Sequence, residues 1–312
     1  MISEETTSIT NFSNEDLIEN YLSYYDHSIQ SVKMRKTSLK TFFHKDNYGF
    51  DKHIKELTTI ELKHYFSWLK KQPVTLNTKT NKWRILKSFI ESVKEDFPDF
   101  YLVFPRRNLN WGNQHKKPWK KEYLTKEELK KLLDYFKTTN YKRYLIFRVL
   151  AETGMRKGGI TYIKLNSIDF DKRTIEVIEK NNQSLPNVYY FSKNLGIHLK
   201  MYVDQIKQMN EKVEYLFFSK FMGEYKPYSS RRFNTILDET CEKIGIEKNI
   251  TCHTFRRSLN NFRDRMGCDL MNRKILLNHK INDVNYQSYT RKDYDKFIKL
   301  YDKYYPFYDL NL

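Results

Sequence analysis

The sequence predicts a mainly α-helical protein with a small β-sheet. Apolar residues recur at helical spacing through residues 12–97 and again through most of residues 122–312. Only two short segments, residues 174–180 and 187–192, alternate between apolar and polar residues as strands do. Residues 181–183 (Asn-Asn-Gln) between them are typical of a turn, so the two segments are expected to form a hairpin.

The two helical parts are separated by a basic segment, which indicates two domains. Residues 104–121 contain two prolines, one glycine and six Lys or Arg residues, with no acidic residue. Such a composition favours a linker, and 312 residues are enough for about two domains. We expect a helical domain over residues 1–103, a linker over 104–121 and an α+β domain over 122–312.

The charge of the chain indicates a polyanionic partner. The 56 Lys and Arg residues exceed the 38 Asp and Glu residues, for a net charge of +18. Such a charge repels itself and usually reflects binding to nucleic acid, although acidic substrates and membrane surfaces remain alternatives. No apolar run reaches the roughly 18 residues of a membrane span, and the acidic start of the chain lacks a signal-peptide core.

Cysteine and glycine usage argues against disulfides, metals and nucleotide cofactors. The three cysteines, Cys241, Cys252 and Cys268, are odd in number and far apart, which indicates a reducing compartment such as the cytoplasm, where DNA also lies. No zinc or calcium spacing and no Gly-rich phosphate loop occurs among the residues. We therefore expect no cofactor and no metal.

In the N-terminal domain, the spacing predicts four helices, near residues 14–22, 30–45, 59–69 and 75–93. The fourth places Trp83 and Phe89 on one side and Lys79 and Lys82 on the other. Two interpretations remain open: a bundle with solvated charges, or a bundle whose basic face lies on a DNA duplex.

In the C-terminal domain, helix signals are frequent. Thr125 and Glu128 form a capping box, and Gly154 suits the residue just past a helix end. Further helices are predicted near residues 141–152, 195–209, 229–244, 254–266 and 271–277. Apolar residues from Tyr294 to Tyr305 form one stripe of a final amphipathic helix, which could dock on a neighbouring subunit or on its own chain.

Four short segments of this domain carry residues suited to phosphodiester chemistry: Arg156, His253 with Arg256, His279, and Tyr286 with Tyr289. Arginine donors can stabilise the negative charge that develops on non-bridging phosphate oxygens. Tyrosine can act as a covalent nucleophile, and histidine suits the accompanying proton transfer near neutral pH. Each residue alone has an ordinary structural explanation, but together they form a coherent set.

The order and context of these segments resemble the catalytic domain of the tyrosine recombinase (phage integrase) family. The segments are ETGMR at 152–156, TIEVIEK at 174–180 followed by YYFS, HTFRRSLNNF at 253–262, and LLNHKINDVNYQSYTR at 276–291. The segment TNKWRILKSFIESV at 80–93 is similar, less specifically, to the core-binding domain of that family. The resemblance implies a helical core-binding domain followed by a recombinase-like catalytic domain.

The resemblance also implies a role for each catalytic candidate. Arg156 and Arg256 would clamp the scissile phosphate, and His279 would hydrogen-bond to it. Tyr289 would attack to give a 3′-phosphotyrosine, with His253 assisting the proton transfer. Lys180 would protonate the departing 5′ oxygen, with Lys193 as the alternative. No metal or ATP would be needed.

The sequence departs from the pattern of the family at three positions. Gly159 stands where an acidic residue usually follows the first arginine, and Asn278 replaces a glycine before the histidine. Ser288 stands nine residues after that histidine, where the nucleophile usually lies. Tyr289 is the better candidate by its context, and Tyr286 remains the alternative.

We therefore expect a site-specific DNA recombinase or integrase, such as mobile elements carry. It would bind double-stranded DNA and act as a homotetramer on it. A monomer is possible when the protein is free of DNA. A catalytically silent DNA-binding relative and a type IB topoisomerase remain alternatives. The candidate DNA contacts are Arg106, Arg107, Lys116, Lys117, Lys79, Lys82, Arg231, Arg232 and Arg257.

Overall fold

The computed structural model describes residues 8–24, 29–105, 122–179, 186–209, 212–279, 281, 293–310 and 312. The chain divides into two compact units, Met1–Trp119 and Lys120–Leu312. Within the described residues, no helix is long and apolar enough to cross a membrane.

The first unit is helical. Its α-helices are α1 (Asn14–Ser23), α2 (Ile29–Phe43), α3 (Thr59–Lys71) and α4 (Leu76–Asp96). Capping boxes at Ser13 and Thr58 begin α1 and α3, because each hydroxyl accepts from a main-chain N–H that the helix leaves unpaired. The apolar faces of the helices meet in one core that is rich in aromatic residues, among them Phe42, Tyr65 and Phe89.

Lys79 is buried, although the sequence places it on the basic side of α4 as a candidate DNA contact. Its side chain is only 1% exposed, and its Nζ donates to the Lys70 carbonyl oxygen over 2.6 Å. That carbonyl lies in the last turn of α3, where main-chain acceptors lack partners and a cation is favourable. Lys82 is partly buried, donates to the Thr41 hydroxyl over 2.8 Å, and has its pKa lowered by burial.

The second unit surrounds one buried helix. Its α-helices are α5 (Lys126–Thr139), α6 (Tyr141–Thr153), α7 (Lys157–Thr161), α8 (Lys193–Met209), α9 (Phe233–Lys243), α10 (Cys252–Arg265), α11 (Leu270–Leu276) and α12 (Tyr294–Lys303). Residues 144–153 of α6 are all buried, so this helix forms the centre of the unit.

Two small antiparallel sheets complete this unit. Strands β1 (Ile168–Asp169), β2 (Thr174–Val177) and β3 (Asn187–Tyr190) form the first sheet in that order. Strands β4 (Phe218–Phe221) and β5 (Glu224–Pro227) form the second. The β4–β5 hairpin was not predicted, because its turn places Met222 at φ 49°, a conformation that usually selects Gly or Asn.

Helix α12 packs on the core of its own chain. Phe297 and Tyr301 are buried there, and both Asp302 carboxylate oxygens accept from the Arg173 guanidinium, over 3.0 and 2.6 Å. The Tyr301 hydroxyl donates to Glu152 Oε2 over 3.3 Å. The stripe predicted from Tyr294 to Tyr305 therefore faces inward in this structure.

Candidate active site

Arg256 joins the three chain segments that carry the predicted phosphate-binding residues. Its Nη1 donates to the Gly154 carbonyl oxygen over 2.6 Å, and its Nη2 donates to the Leu277 carbonyl oxygen. Gly154 lies two residues before Arg156, and Leu277 lies two residues before His279. Because the Arg256 side chain is only 5% exposed, these contacts hold the three segments in a fixed arrangement.

The turn after α6 orients Arg156. Gly154 has φ 64°, the left-handed conformation that its predicted place just past the helix requires. A Cβ at Gly154 would lie 2.5 Å from Leu277 Cδ2, so the turn and the end of α11 approach each other closely only because the residue is glycine. The chain then leaves the turn with Arg156 as the residue before α7, and 40% of its side chain is exposed.

His279 is positioned by a helix-ending motif. The His279 N–H donates to the Lys274 carbonyl over 2.9 Å and the Asn278 N–H to the Ile275 carbonyl over 3.0 Å, which is the Schellman pattern. Asn278 has φ 50° and donates its side-chain amide to the Val188 carbonyl over 2.8 Å. Asparagine tolerates this conformation, so it replaces the glycine that the family resemblance implies and also ties α11 to β3.

His253 lies in the first turn of α10, three residues before Arg256 and on the same side of the helix. The Thr251 N–H donates to the Thr254 hydroxyl over 3.0 Å, and the Cys252 N–H donates to Asn234 Oδ1 over 3.2 Å. These bonds satisfy main-chain donors at the start of α10 and so stabilise the first turn, which carries His253.

The charges of both arginines act on the two histidines. The pKa of His279 is lowered to about 4, first by burial and then by the charges of Arg256 and Arg156. Burial also lowers the pKa of His253, and the Arg257 and Arg256 charges act in the same direction, followed by that of Arg156. Burial lowers the pKa of Arg256 itself, and the Arg156 charge lowers it further. This concentration of positive charge favours an anion.

Glu179 is a residue of this site that the sequence did not single out. Its carboxylate is 3% exposed and forms an ion pair with Arg156 Nη1. It also accepts from the Arg156 main-chain N–H over 3.2 Å. A glutamate in a predicted hairpin is most often a solvated residue, and only its place next to Lys180 in the sequence could have drawn attention to it.

Three of the candidate DNA contacts lie in the described part of this unit. Arg231 and Arg232 are exposed in a short turn before α9, and this turn packs near α7. Arg257 is partly buried, donates to the Thr254 hydroxyl over 3.1 Å, and lies near enough to His253 to lower its pKa. All three therefore lie in or beside elements that carry candidate catalytic residues.

Several predicted site residues lie outside the described residues, so the structure gives no position for them. They are Lys180, Tyr286, Tyr289, Arg106, Arg107, Lys116 and Lys117. The four catalytic candidates that the structure does describe, Arg156, His253, Arg256 and His279, come together in the second unit.

Comparison with known proteins decides the family. The model of the "Phage integrase family" matches residues 122–296, more than half of the chain. The chain belongs to the phage integrase family. Members of this family of tyrosine recombinases are DNA strand-transferring enzymes, and so is this protein. The family resemblance predicted from the sequence is confirmed.

Similar proteins cover nearly the whole length of this family member. Tyrosine recombinase XerC of Leptospira interrogans is 23% identical over 309 residues, which are 95% of this chain and 96% of that relative. Tyrosine recombinase XerC of Lacticaseibacillus casei is 26% identical over 299 residues, 90% of this chain and 94% of the relative.

Solved structures of integrases and recombinases share the fold. The Tn1549 transposon integrase in complex with transposon right end DNA has a TM-score of 0.65 at 15% identity, covering 89% of this chain and 95% of its own. The XerH site-specific recombinase bound to palindromic difH has a TM-score of 0.63 at 16% identity. The match covers 94% of this chain and 82% of the XerH chain. The predicted fold class, mainly helical with small sheets and a recombinase-like catalytic domain, is confirmed.

Proposed function

We propose that the protein is a site-specific recombinase or integrase that cuts and rejoins DNA strands through a 3′-phosphotyrosine intermediate. The observation that carries this proposal is the meeting of Arg156, Arg256, His253 and His279, with the pKa of each histidine lowered by the charges of both arginines. Four nitrogen-bearing groups on segments that Arg256 joins suit a phosphate that gains charge in the transition state.

Each residue has a chemical role in this proposal. The Tyr289 phenol oxygen attacks the phosphorus, and His253 assists transfer of the phenolic proton. Arg156, Arg256 and His279 stabilise the charge on the non-bridging oxygens. The 5′ oxygen departs and takes a proton from Lys180. The new phosphotyrosine retains the energy of the phosphodiester, so the free 5′ hydroxyl of another strand can reverse the reaction without ATP or a metal.

The substrate in this proposal is double-stranded DNA, bound by a homotetramer. The structures of the Tn1549 integrase and XerH with DNA support DNA as the substrate, as does the net charge of +18. Arg231, Arg232 and Arg257 would contact DNA beside the active site, and the basic linker with Arg106, Arg107, Lys116 and Lys117 would follow the phosphate backbone. Because such contacts release counterions, the affinity should fall steeply with salt.

A nicked suicide duplex tests this function. We first select a bound sequence from a random DNA pool, then place a nick beside the cleavage site so that the released fragment diffuses away. The wild-type protein should accumulate a covalent DNA adduct, Tyr289→Phe should form none, and Tyr286→Phe should retain it, because a phenyl ring has no attacking oxygen.

Other outcomes of this experiment would select the alternatives. Tight binding by the wild type without any adduct would contradict the proposal and favour a silent DNA-binding relative. An adduct lost only in Tyr286→Phe would assign the nucleophile to Tyr286. On a plasmid with two copies of the site, relaxation without recombinant products would favour a type IB topoisomerase.

We expect DNA binding to raise the pKa of His279. In the free protein this pKa is about 4, lowered by burial and by the two arginine charges. A phosphate between those arginines offsets their charge and favours the imidazolium, so binding takes up a proton. DNA affinity should therefore strengthen as the pH falls from neutral towards about 4.

Nuclear magnetic resonance titration of the imidazole protons measures this shift with and without the selected duplex. The His279→Gln variant should show a weaker dependence of affinity on pH, since it lacks this titrating group. An unchanged His279 pKa in the complex would show that no phosphate lies near the imidazole.

A further inference from the structure

The buried carboxylate of Glu179 has no role in the reaction proposed above, yet it accepts four hydrogen bonds. Glu179 lies two residues beyond the end of β2. Besides the Arg156 main-chain and side-chain donors, its oxygens accept from the Tyr189 hydroxyl over 2.9 Å and from the Asn187 amide over 3.2 Å. Both donors on β3 thus hold the carboxylate against Arg156.

Glu179 also occupies the space that a side chain at position 159 would need. Gly159 lies in α7, three residues after Arg156. A Cβ built on Gly159 would lie 2.7 Å from Glu179 Oε1, a distance at which one of the two groups must move. At the adjacent Gly158, a Cβ would meet nothing within 4 Å. The Cβ at Gly159 would also lie 3.0 Å from Met155 Cγ, so Glu179 is the nearest of two side chains that take up the space beside Gly159.

We propose that Glu179 is the positioning residue of Arg156, supplying from the β2–β3 hairpin the carboxylate that position 159 lacks. This inference rests on the proposed function of Arg156 as a phosphate ligand. The carboxylate bonds to one edge of the guanidinium. The Glu179 side chain is only 3% exposed, whereas the Arg156 side chain is 40% exposed. A guanidinium has five N–H donors, and those that do not bond to Glu179 are left to face a phosphate.

The charge of Glu179 also explains how two arginines share the site before DNA binds. Arg156 lies near enough to Arg256 to lower the pKa of that guanidinium, so the two cations repel each other. A buried carboxylate bonded to Arg156 offsets this repulsion from the side away from solvent. An amide at the same place would accept hydrogen bonds but would not supply the charge.

The test exchanges the two positions. Glu179→Ala should lower the adduct rate at saturating DNA by about 10- to 100-fold, since a misdirected ligand costs rate more than affinity. Gly159→Glu alone should also be impaired, because two carboxylates then compete for one space. The Gly159→Glu/Glu179→Ala double variant should be faster than either single variant, whereas Gly158→Glu should not rescue Glu179→Ala.

The isosteric variant Glu179→Gln separates positioning from the filling of a buried space. It should lose rate while its thermal unfolding stays close to that of the wild type. Glu176→Gln should keep the wild-type rate, because Glu176 on β2 accepts from the Tyr294 hydroxyl over 3.2 Å. A wild-type rate in Glu179→Gln, or a double variant no faster than the slower single variant, would overturn the proposal. Absence of any adduct in the wild type would instead contradict the proposed function itself.

Discussion

Arg256→Lys should lower the rate of strand cleavage by about 100- to 1,000-fold, the usual cost of removing a donor that stabilises transition-state charge. The Arg256 guanidinium bonds to the Gly154 and Leu277 carbonyls and has further N–H groups for a phosphate. A lysine ammonium is a single point charge, so it cannot bridge both carbonyls and reach the phosphate as well. Single-turnover formation of the covalent adduct measures this rate.

Arg265→Lys is the matched control for this prediction. Arg265 is exposed in the last turn of the same helix, and the variant should cleave at nearly the wild-type rate. If Arg256→Lys were folded and equally fast, Arg256 would have no part in stabilising the transition state.

The second large effect that we expect is on stability, from Glu152→Ala. Glu152 is fully buried, and its Oε1 accepts from Arg148 Nε over 3.0 Å. Its Oε2 accepts from the Ser192 N–H over 3.1 Å and from the Tyr301 hydroxyl. Removing this carboxylate leaves the buried Arg148 guanidinium without its counter-charge. The free energy of unfolding should therefore fall by about 3–5 kcal/mol.

Denaturant unfolding of the whole chain, followed by a probe in the second unit, measures this loss. Asp134→Ala removes the exposed ion pair between Asp134 and Lys130 on α5 and should cost less than about 1 kcal/mol. Equal losses in the two variants would show that the buried pair at Glu152 contributes no more than an exposed one.

The sequence predicts most reliably those elements whose pattern is both local and strongly periodic. The stripe from Tyr294 to Tyr305 is helical through most of its length, and Gly154 has the left-handed φ of 64° that its place after α6 implied. Both features depend on contacts within one or two turns of a helix, so neighbouring residues are sufficient to predict them.

The features that the sequence could not predict depend on contacts between distant segments. Lys79 has the sequence context of a surface cation, but it is buried because its ammonium bonds to the Lys70 carbonyl at the end of another helix. Glu179 looks like a strand residue, but its partner Arg156 lies 23 positions earlier in the chain. From the sequence, Gly159 only lacks the acidic side chain that the family usually has. The structure shows that Glu179 lies where a side chain at this position would be.

In the proposed reaction, two arginines stabilise negative charge on one scissile phosphate, and a neutral phosphate analogue tests this role most directly. A methylphosphonate replaces one non-bridging oxygen by a methyl group and removes the charge. We expect this change to slow adduct formation by the wild type far more than by Arg156→Ala, which has already lost that interaction. An equal slowing of both proteins would show that Arg156 does not act on that charge.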